Sequence, residues 1–210
     1  MNYLIKFGNL SEAISLDQPN IFIKNFPNTV FLKQTHSNTG KTIDNSQAPF
    51  IEDGDFLFTN KPNIPIGVLT ADCLPIVVTD QAKSACSSIH AGWRGTLNNI
   101  ILNATSIFLQ NESKIKNLIY YFGPAIGVCC YEVSADFVTN LKYQNSVSYN
   151  NNRIYFDLLA YNTILLQQIG VKYKQLNFEN WQCTYCSGRY YSYRKDNNTR
   201  MRQFSIVKIL

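Results

Sequence analysis

Histidine is scarce in this chain: only His36 and His90 occur among 210 residues. A centre that holds several copper ions needs many more imidazole ligands, so the composition argues against a multicopper oxidase. Both histidines lie beside small residues and glycine, in the segments KQTHSNTG and SIHAGWRG. Each is therefore either a core histidine bonded to a carbonyl group, or a metal ligand or catalytic base.

Long hydrophobic runs are missing as well, since no stretch of about 18 apolar residues occurs. The first twenty residues, MNYLIKFGNLSEAISLDQPN, lack a basic region followed by an apolar block and a cleavage site. We therefore predict a protein without membrane contact that stays in the cytoplasm, where its six cysteines are reduced. Grouped cysteines in such a compartment indicate metal binding or catalysis more often than cross-links.

The chain also lacks internal repeats and any linker rich in proline, glycine and serine. We predict a single domain spanning residues 1–210. Because 45% of the residues are hydrophobic, the chain can bury a large core without disulfides.

Positive charge is modest overall, at +5, but it is concentrated in the segment GRYYSYRKDNNTRMRQF near the end of the chain. Basic residues interleaved with tyrosines can bind nucleic acid or an anionic small substrate. They also occur in a strand with one aromatic and one charged face. We predict a strand here and no nucleic-acid partner.

Short β-rich runs dominate the chain, and only a few helical patterns interrupt them. This mixture predicts an α+β fold with a large sheet system rather than strict βαβ alternation. The predicted strands are NYLIKFG, TVFLKQT, GDFLFTN, IGVLTAD, LPIVVTD, ACSSIHAG, NLIYYFGP, YYSYR and QFSIVKIL.

Three helices are predicted from apolar periodicity and capping residues. The first is TLNNIILNATSIFLQ with Thr96 as its N-cap, and the second is SADFVTNLK with Ser134 as its N-cap. The third, DLLAYNTILLQQIG, begins at Asp157 and ends at Gly170, a residue suited to the position after a helix.

Both histidines and one cysteine, Cys73, fall where predicted strands end or break. Such edges present side chains to a cleft on a rigid base. Two imidazoles and one thiolate suit Zn²⁺, and three protein ligands leave its fourth position open for water or substrate, as in catalytic zinc sites. The intervals of 37 and 17 residues match no local ligand motif. By spacing alone, two core histidines and an inert buried cysteine remain the alternative.

The turn Gly92–Trp93–Arg94–Gly95 indicates a second element of a binding site. Its glycines allow backbone N–H groups to approach a ligand, and Arg94 can hold a phosphate through two hydrogen bonds. The alternative is a tight strand-to-helix connection in which Trp93 only fills the core.

In their order along the chain, the motifs resemble those of the laccase-domain family, also called the multicopper polyphenol oxidase or YfiH-like family. The resemblance covers about residues 30 to 205. The motifs that carry it are KQTHSNTG, DGDFLFTN, GVLTADCLPIVVTD, SSIHAGWRGTL, YFGPAIGVCCYEVSADF, FDLLAYNTILLQQIGV and CTYCSGRYYSYRKDNNTRM.

This resemblance implies mixed β-sheets layered between helices and one zinc ion, rather than copper, bound by His36, Cys73 and His90. It also implies phosphorolysis of adenosine, inosine, guanosine and 5′-methylthioadenosine, with adenosine deamination at the same site. The expected partners are therefore purine nucleosides and phosphate.

Roles in catalysis and ligand binding are predicted for other residues from their positions in the sequence. Asp72, next to the ligand Cys73, is the candidate for proton transfer, although strand alternation can turn its side chain away. Arg94 is the candidate for phosphate binding, and Gln34 for reading a base or ribose edge. The segment SYRKDNNTRM departs from the usual SYRRDG-x-TGR, which leaves the contribution of Arg194 to ligand binding open.

The remaining cysteines admit two interpretations. Cys129, Cys130 and the Cys183-x-x-Cys186 pair have the residue types of a structural zinc site. Adjacent cysteines rarely bind the same ion, however, and the family resemblance implies no second zinc. We therefore predict that these four are small packing residues.

Two functions of other classes compete with the zinc enzyme. Cys73 as nucleophile with His90 as base would make a metal-free thiol hydrolase. The basic, tyrosine-rich segment near the end of the chain would make a module that binds RNA in a salt-dependent way. A copper-dependent phenol oxidase is the weakest alternative, because the chain has so few histidines.

Overall fold

A computed structural model of the chain describes residues 2–17, 26–45, 52–139 and 141–210. Thirteen strands occur in these ranges: β1 Tyr3–Phe7, β2 Ile14–Ser15, β3 Gly40–Thr42, β4 Phe56–Thr59, β5 Ile66–Thr70, β6 Leu74–Asp80, β7 Cys86–Ala91, β8 Leu118–Phe122, β9 Glu132–Val133, β10 Val147–Asn150, β11 Arg153–Phe156, β12 Leu176–Asn177 and β13 Met201–Ile209. The α-helices are α1 Trp93–Leu97, α2 Ile100–Gln110, α3 Ala135–Thr139 and α4 Leu158–Gln168, and short 3-10 helices span Leu10–Glu12, Ile115–Asn117, Gln144–Ser146 and Tyr173–Gln175.

A six-stranded mixed sheet in the order β12-β8-β6-β7-β4-β3 forms the centre of the fold. Its middle strands are buried on both faces, which explains their nearly continuous apolar sequences. On one face, side chains such as Ile76 and Val78 pack against helices α2 and α4. On the other, Leu57 and Val77 pack against a second sheet, in which β13 pairs with β1, β2 and β5. The predicted α+β fold with layered mixed sheets is confirmed.

Two of the predicted strands are wrong. The segment at 29–35 makes only isolated bridges, from Val30 to Ile66 and from Lys33 to Asp53. The segment at 190–194 is a turn-rich loop. The first segment is held by these bridges and by side-chain hydrogen bonds, the second by hydrogen bonds from Ser192 and Arg194 to Asp72, and neither has the continuous ladder that makes a strand.

The helix after the HAGWRG turn also differs from its prediction. It begins at Trp93, with Gly92 as N-cap, and a break at Asn98–Asn99 separates α1 from α2. Asn99 adopts a left-handed conformation with φ of 62°. Thr96, the predicted N-cap, lies inside α1, and its buried hydroxyl accepts a hydrogen bond from Asn162 of α4 at 2.9 Å.

The other two helices agree with their capping signals. The N–H of Phe137 donates to the Ser134 hydroxyl, and the N–H of Ala160 donates to the Asp157 carboxylate. Gly170 has φ of 92° just beyond α4. The second predicted helix ends early, at Thr139, and its residue 140 lies outside the described ranges. None of the helices in the described ranges is long and apolar enough to cross a membrane.

Candidate active site

The three predicted metal ligands come together at one end of the central sheet. The ligand atoms of His36, Cys73 and His90 all lie within 4.8 Å of one another. The Cys73 sulfur is 3.8 Å from His36 Nε2, and the two imidazole rings meet edge to face with centroids 4.8 Å apart. A thiolate and an imidazole on one tetrahedral zinc are separated by roughly 3.6 Å. The donor set and its spacing therefore fit a single metal ion.

Three different segments bring these ligands together. His90 lies in β7, where it pairs with Pro75 of β6, and Cys73 occupies the turn between β5 and β6. His36 lies in the loop that follows residues 29–35, with φ of 60°. Antiparallel pairing of β6 with β7 places the start of one strand beside the end of the other, so Cys73 and His90 become neighbours despite their separation in sequence.

Gly92 makes this approach possible. A side-chain Cβ at this position would lie 2.9 Å from His36 Cδ2 and 3.1 Å from the Cys73 sulfur. Both distances are shorter than ordinary carbon contacts, so the site has no room for a side chain here. The glycine of the HAGWRG motif thus permits close packing around the triad, and its φ of −72° requires no special freedom.

A buried carboxylate, Asp55, connects the two histidines. One of its oxygens lies 2.7 Å from His90 Nδ1 and also accepts the His36 backbone N–H at 3.0 Å. The other accepts the backbone N–H groups of Thr35 and Ser37. This arrangement turns His90 Nε2 toward Cys73 and fixes the loop that carries His36, as carboxylate partners of metal-bound histidines do. Sequence analysis did not identify Asp55, although its position just before an apolar strand in DGDFLF was a usable signal.

The charges around the triad favour a thiolate. Burial raises the pKa of the Cys73 thiol, but the charge of His90 and the hydrogen bond with His36 outweigh it and lower the pKa to about 6. For His90, burial lowers the pKa, while the Cys73 charge and the Asp55 hydrogen bond raise it to about 9. Without a metal, Cys73 and His90 therefore form a thiolate–imidazolium pair at neutral pH.

The triad opens into a cleft of about 680 Å³, a volume typical of sites for small molecules. Three arginines line it: Arg94, Arg194 and Arg202. Each lies over an aromatic ring, with guanidinium-to-centroid distances of 4.4 to 5.9 Å to Trp93, Tyr131 and Tyr193, respectively. Within the described ranges, none of the three pairs with a carboxylate. The cleft therefore combines positive charge for an anion with flat apolar surfaces for a ring.

Asp72 lines the cleft, but its carboxylate is already engaged. It accepts hydrogen bonds from the Thr184 hydroxyl at 2.6 Å, the Ser192 hydroxyl at 3.0 Å and the Arg194 backbone N–H at 2.7 Å. Its own φ of 85° turns the chain sharply before Cys73. The geometry gives Asp72 the role of holding the loop from 184 to 194 against the triad. Its predicted role in proton transfer stays a prediction.

Gln34 also lines the cleft and is engaged at both ends of its amide. Its Nε2 donates to the Leu69 carbonyl and its Oε1 accepts the Leu69 N–H, both at 2.7 Å. These bonds join the loop before His36 to strand β5. Only the second N–H and the second lone pair of the Gln34 amide remain available to a ligand. The predicted role of Gln34 in reading a base or ribose edge stays a prediction.

The structure adds site residues that sequence analysis missed. Tyr131, Tyr193 and Arg202 line the cleft, and so does Thr70, whose buried hydroxyl has no hydrogen-bond partner among the described residues. Tyr131 follows the paired cysteines in the quoted motif CCYEV, and Arg202 belongs to the basic segment near the end of the chain. Residues 190–194 of that segment form a loop in place of the predicted strand, whereas Arg202 itself lies in strand β13.

The chain is similar to several known proteins. The sequence profile described as "Multi-copper polyphenol oxidoreductase laccase" matches residues 17–210. A purine nucleoside phosphorylase of Borreliella burgdorferi is 33% identical over 93% of this chain and 86% of its own length. One of Clostridium acetobutylicum is 33% identical over 84% of this chain and 75% of its own length. The crystal structure of the YfiH protein of Bacillus licheniformis superposes with a TM-score of 0.79 at 26% identity, covering 87% of this chain and 74% of that one.

Proposed function

The chain belongs to the family described as multi-copper polyphenol oxidoreductase laccase, and within it we propose a zinc-dependent purine nucleoside phosphorylase. Family membership confirms the resemblance predicted from the motifs. The observation that carries the proposal is one cleft holding a thiolate–imidazole triad beside three arginines that lack carboxylate partners among the described residues. With only two histidines in the sequence, the chain lacks the ligands of a multicopper centre.

His36, Cys73 and His90 would hold one zinc ion, since their atoms and spacing suit a three-ligand site. When bound, the ion supplies a Lewis acid with an open coordination position. Asp55 fixes the orientation of His90 and the backbone at His36, so these two ligands need little further ordering when the ion binds. We place the enzyme in the cytoplasm, where the Cys73 thiol stays reduced.

Phosphorolysis requires a phosphate oxygen to bond to C1′ of the ribose while the bond from C1′ to purine N9 breaks. Arg94, with Arg194 and Arg202 in the same cleft, is suited to hold the phosphate, because a guanidinium offers paired donors to its oxygens. The departing purine also needs a hydrogen-bond donor or a proton. Burial raises the pKa of Tyr131, so its hydroxyl remains protonated at neutral pH and can donate to a purine nitrogen.

The substrates we propose are adenosine, inosine, guanosine and 5′-methylthioadenosine, with adenosine deamination at the same site. Trp93, Tyr131 and Tyr193 line the cleft, and their rings would recognise a purine by its flat face, which all purines share. Such a site accepts several bases. Deamination needs no phosphate, so it separates the role of the arginines from that of the triad.

Replacement of Arg94 by alanine tests this proposal. We expect the KM for phosphate in adenine release from adenosine to rise about 10- to 100-fold, the range for one hydrogen-bonded charged group. Conversion of adenosine to inosine should change far less. Lys116→Ala is the matched control, because that cation is exposed and outside the cleft. Equal losses in both reactions would refute the assignment of Arg94 to phosphate.

One further function is favoured by a specific observation. Asp55, His90 and Cys73 form the carboxylate–imidazole–thiolate series of a cysteine hydrolase, and the lowered pKa of Cys73 provides a nucleophile. Zinc bound at the triad separates the two functions. A hydrolase of this type needs a free thiolate, whereas the phosphorylase needs the same sulfur on zinc.

A further inference from the structure

The chain contains a second group of candidate metal ligands, distant in sequence from the triad. The sulfurs of Cys129, Cys130, Cys183 and Cys186, which we call the four-cysteine cluster, all lie within 4.8 Å of one another. The structure thus brings to one point four cysteines that the sequence predicted to be small packing residues. Two of them, Cys129 and Cys186, are exposed, which is unusual for packing residues.

The spacing within the cluster matches a tetrahedral metal site. Four thiolates on one zinc ion, each about 2.3 Å from it, are roughly 3.8 Å apart. The sulfurs of Cys129 and Cys186 are 3.8 Å apart. A disulfide would require about 2.05 Å between two sulfurs and would leave the other two without a role.

Local backbone structure explains how adjacent cysteines reach one point. The N–H groups of Cys130 and Tyr131 both donate to the Gly127 carbonyl at 2.9 Å, which closes a tight turn over the pair. The Cys183-x-x-Cys186 segment forms a second turn, in which the Ser187 N–H donates to the Cys183 carbonyl. The two turns are joined by the bridge between Ala125 and Cys183.

A backbone hydrogen bond to sulfur supports the same assignment. The N–H of Gly127 donates to the buried Cys183 sulfur at 3.3 Å, as N–H groups do around metal-bound thiolates. Exposed Cys129 and Cys186 leave a path by which an ion enters.

We propose that the four-cysteine cluster binds one structural Zn²⁺ ion, separate from the ion of the triad. Four sulfur ligands close the coordination sphere, so this ion has no open position for substrate. Its effect is to join the loop after β8 to the loop after β12.

The joined loops also hold the active-site turn. The Ile126 N–H donates to the Asp72 carbonyl at 2.9 Å, and the Thr184 hydroxyl donates to the Asp72 carboxylate. Each donor lies within three residues of a cluster cysteine. The second ion would therefore stabilise the segment that carries Cys73 without touching the substrate.

Metal analysis of the untagged full chain tests the proposal without any nucleoside assay. In a His36→Ala variant, which removes one triad ligand, we expect about one zinc ion per chain to remain. The combination of His36→Ala with Cys186→Ser should lose that ion. The combination of His36→Ala with Cys86→Ala should keep it, because Cys86 is buried in β7 outside both groups.

Cobalt substitution gives an independent readout in the same His36→Ala background. A tetrathiolate site should show intense visible absorption and a sulfur-to-cobalt charge-transfer band, and Cys129→Ser should weaken both. Because Cys129 is exposed, that variant keeps the core intact if Cys186→Ser fails to fold. Zinc-free His36→Ala protein without the cobalt spectrum would overturn the proposal, as would iron at the cluster or a disulfide between Cys129 and Cys186. None of these outcomes bears on the proposed phosphorylase activity.

Discussion

Asp55 joins the two histidines of the triad through one buried carboxylate. Burial raises its pKa, but hydrogen bonds from His90 and Ser37 outweigh this and lower the pKa well below the usual range for aspartate. The negative charge is therefore kept at all physiological pH values and makes His90 a stronger donor to a metal. A residue outside the triad thus orients two of the proposed metal ligands.

Replacement of Asp55 by asparagine should weaken zinc binding at the triad about 10- to 100-fold, the usual effect of removing such a partner. The amide keeps the size of the carboxylate but loses its charge and presents an N–H group. Competition with a chromogenic chelator measures the change. Asp80→Asn is the control, since Asp80 is equally buried and accepts backbone N–H groups at the far end of β6. Wild-type affinity in folded Asp55→Asn protein would contradict this account of the site.

The thiol of Cys73 should show its lowered pKa once metal is removed. In chelator-treated protein, the thiolate is present above pH 6 and lost below it, because the pKa is lowered to about 6. Alkylation by iodoacetamide, followed by peptide mapping, should therefore reach a plateau above that pH and fall on acidification. Cys86 serves as the internal reference, because burial raises its pKa and shields it. A Cys73 rate that keeps rising to pH 9 would show that His90 does not stabilise the thiolate.

Residue chemistry in the sequence predicted part of this site. Rarity and strand-edge position singled out His36, Cys73 and His90, and the family motifs then joined them. Their spacing in the sequence did not indicate a shared site, because strand pairing brings the three together. Tyr131 and Arg202 were missed for the same reason, since the loop that holds Tyr131 and the pairing of β13, which holds Arg202, bring them near the triad.

At the scale of elements, the junction of β7 and α1 determines the shape of the site. Gly92 ends the strand, allows His36 and Cys73 to approach, and caps the short helix that places Arg94 on the cleft. The sequence pattern of apolar residues predicted one longer helix beginning at Thr96. It could not show the break at Asn99, because the apolar stripe continues across it.

Gly92→Ala should displace the triad and reduce nucleoside turnover about 100-fold, the effect of a misplacement near 1 Å. Zinc occupancy should fall with it. Gly8→Ala is a matched control, because its Cβ would meet the Phe204 ring at 2.9 Å, a similar degree of crowding away from the triad. The control should lose stability and keep its zinc. Full zinc occupancy and turnover in Gly92→Ala would contradict the account.

Strands with regular partners were predictable, and segments held by side chains were not. The apolar runs that form β5, β6 and β7 were identified because burial on both faces leaves a clear sequence pattern. The segment at 190–194 is rich in tyrosine, a residue common in strands. It instead bonds to Asp72 through Ser192 and Arg194, an arrangement that composition does not reveal.

At the scale of the whole molecule, the central sheet separates two apolar clusters and supports the site at one end. One cluster lies between this sheet and the helices, and the other between this sheet and the sheet around β13. Because β13 comes from the end of the chain and pairs with β1, the two ends of the sequence close the same layer. This arrangement agrees with a single domain, which stays a prediction.

The most direct test of the central claim is one experiment on Cys73→Ala beside wild type and Cys86→Ala. It measures bound zinc and phosphate-dependent release of adenine from adenosine in the same preparations, each in a His-tag-free form. We predict that wild type and Cys86→Ala release adenine only with phosphate, and that Cys73→Ala loses both this activity and one zinc ion. Wild-type protein with no more zinc than Cys73→Ala and no nucleoside turnover, but with rapid alkylation of Cys73, would contradict the account and favour the cysteine hydrolase.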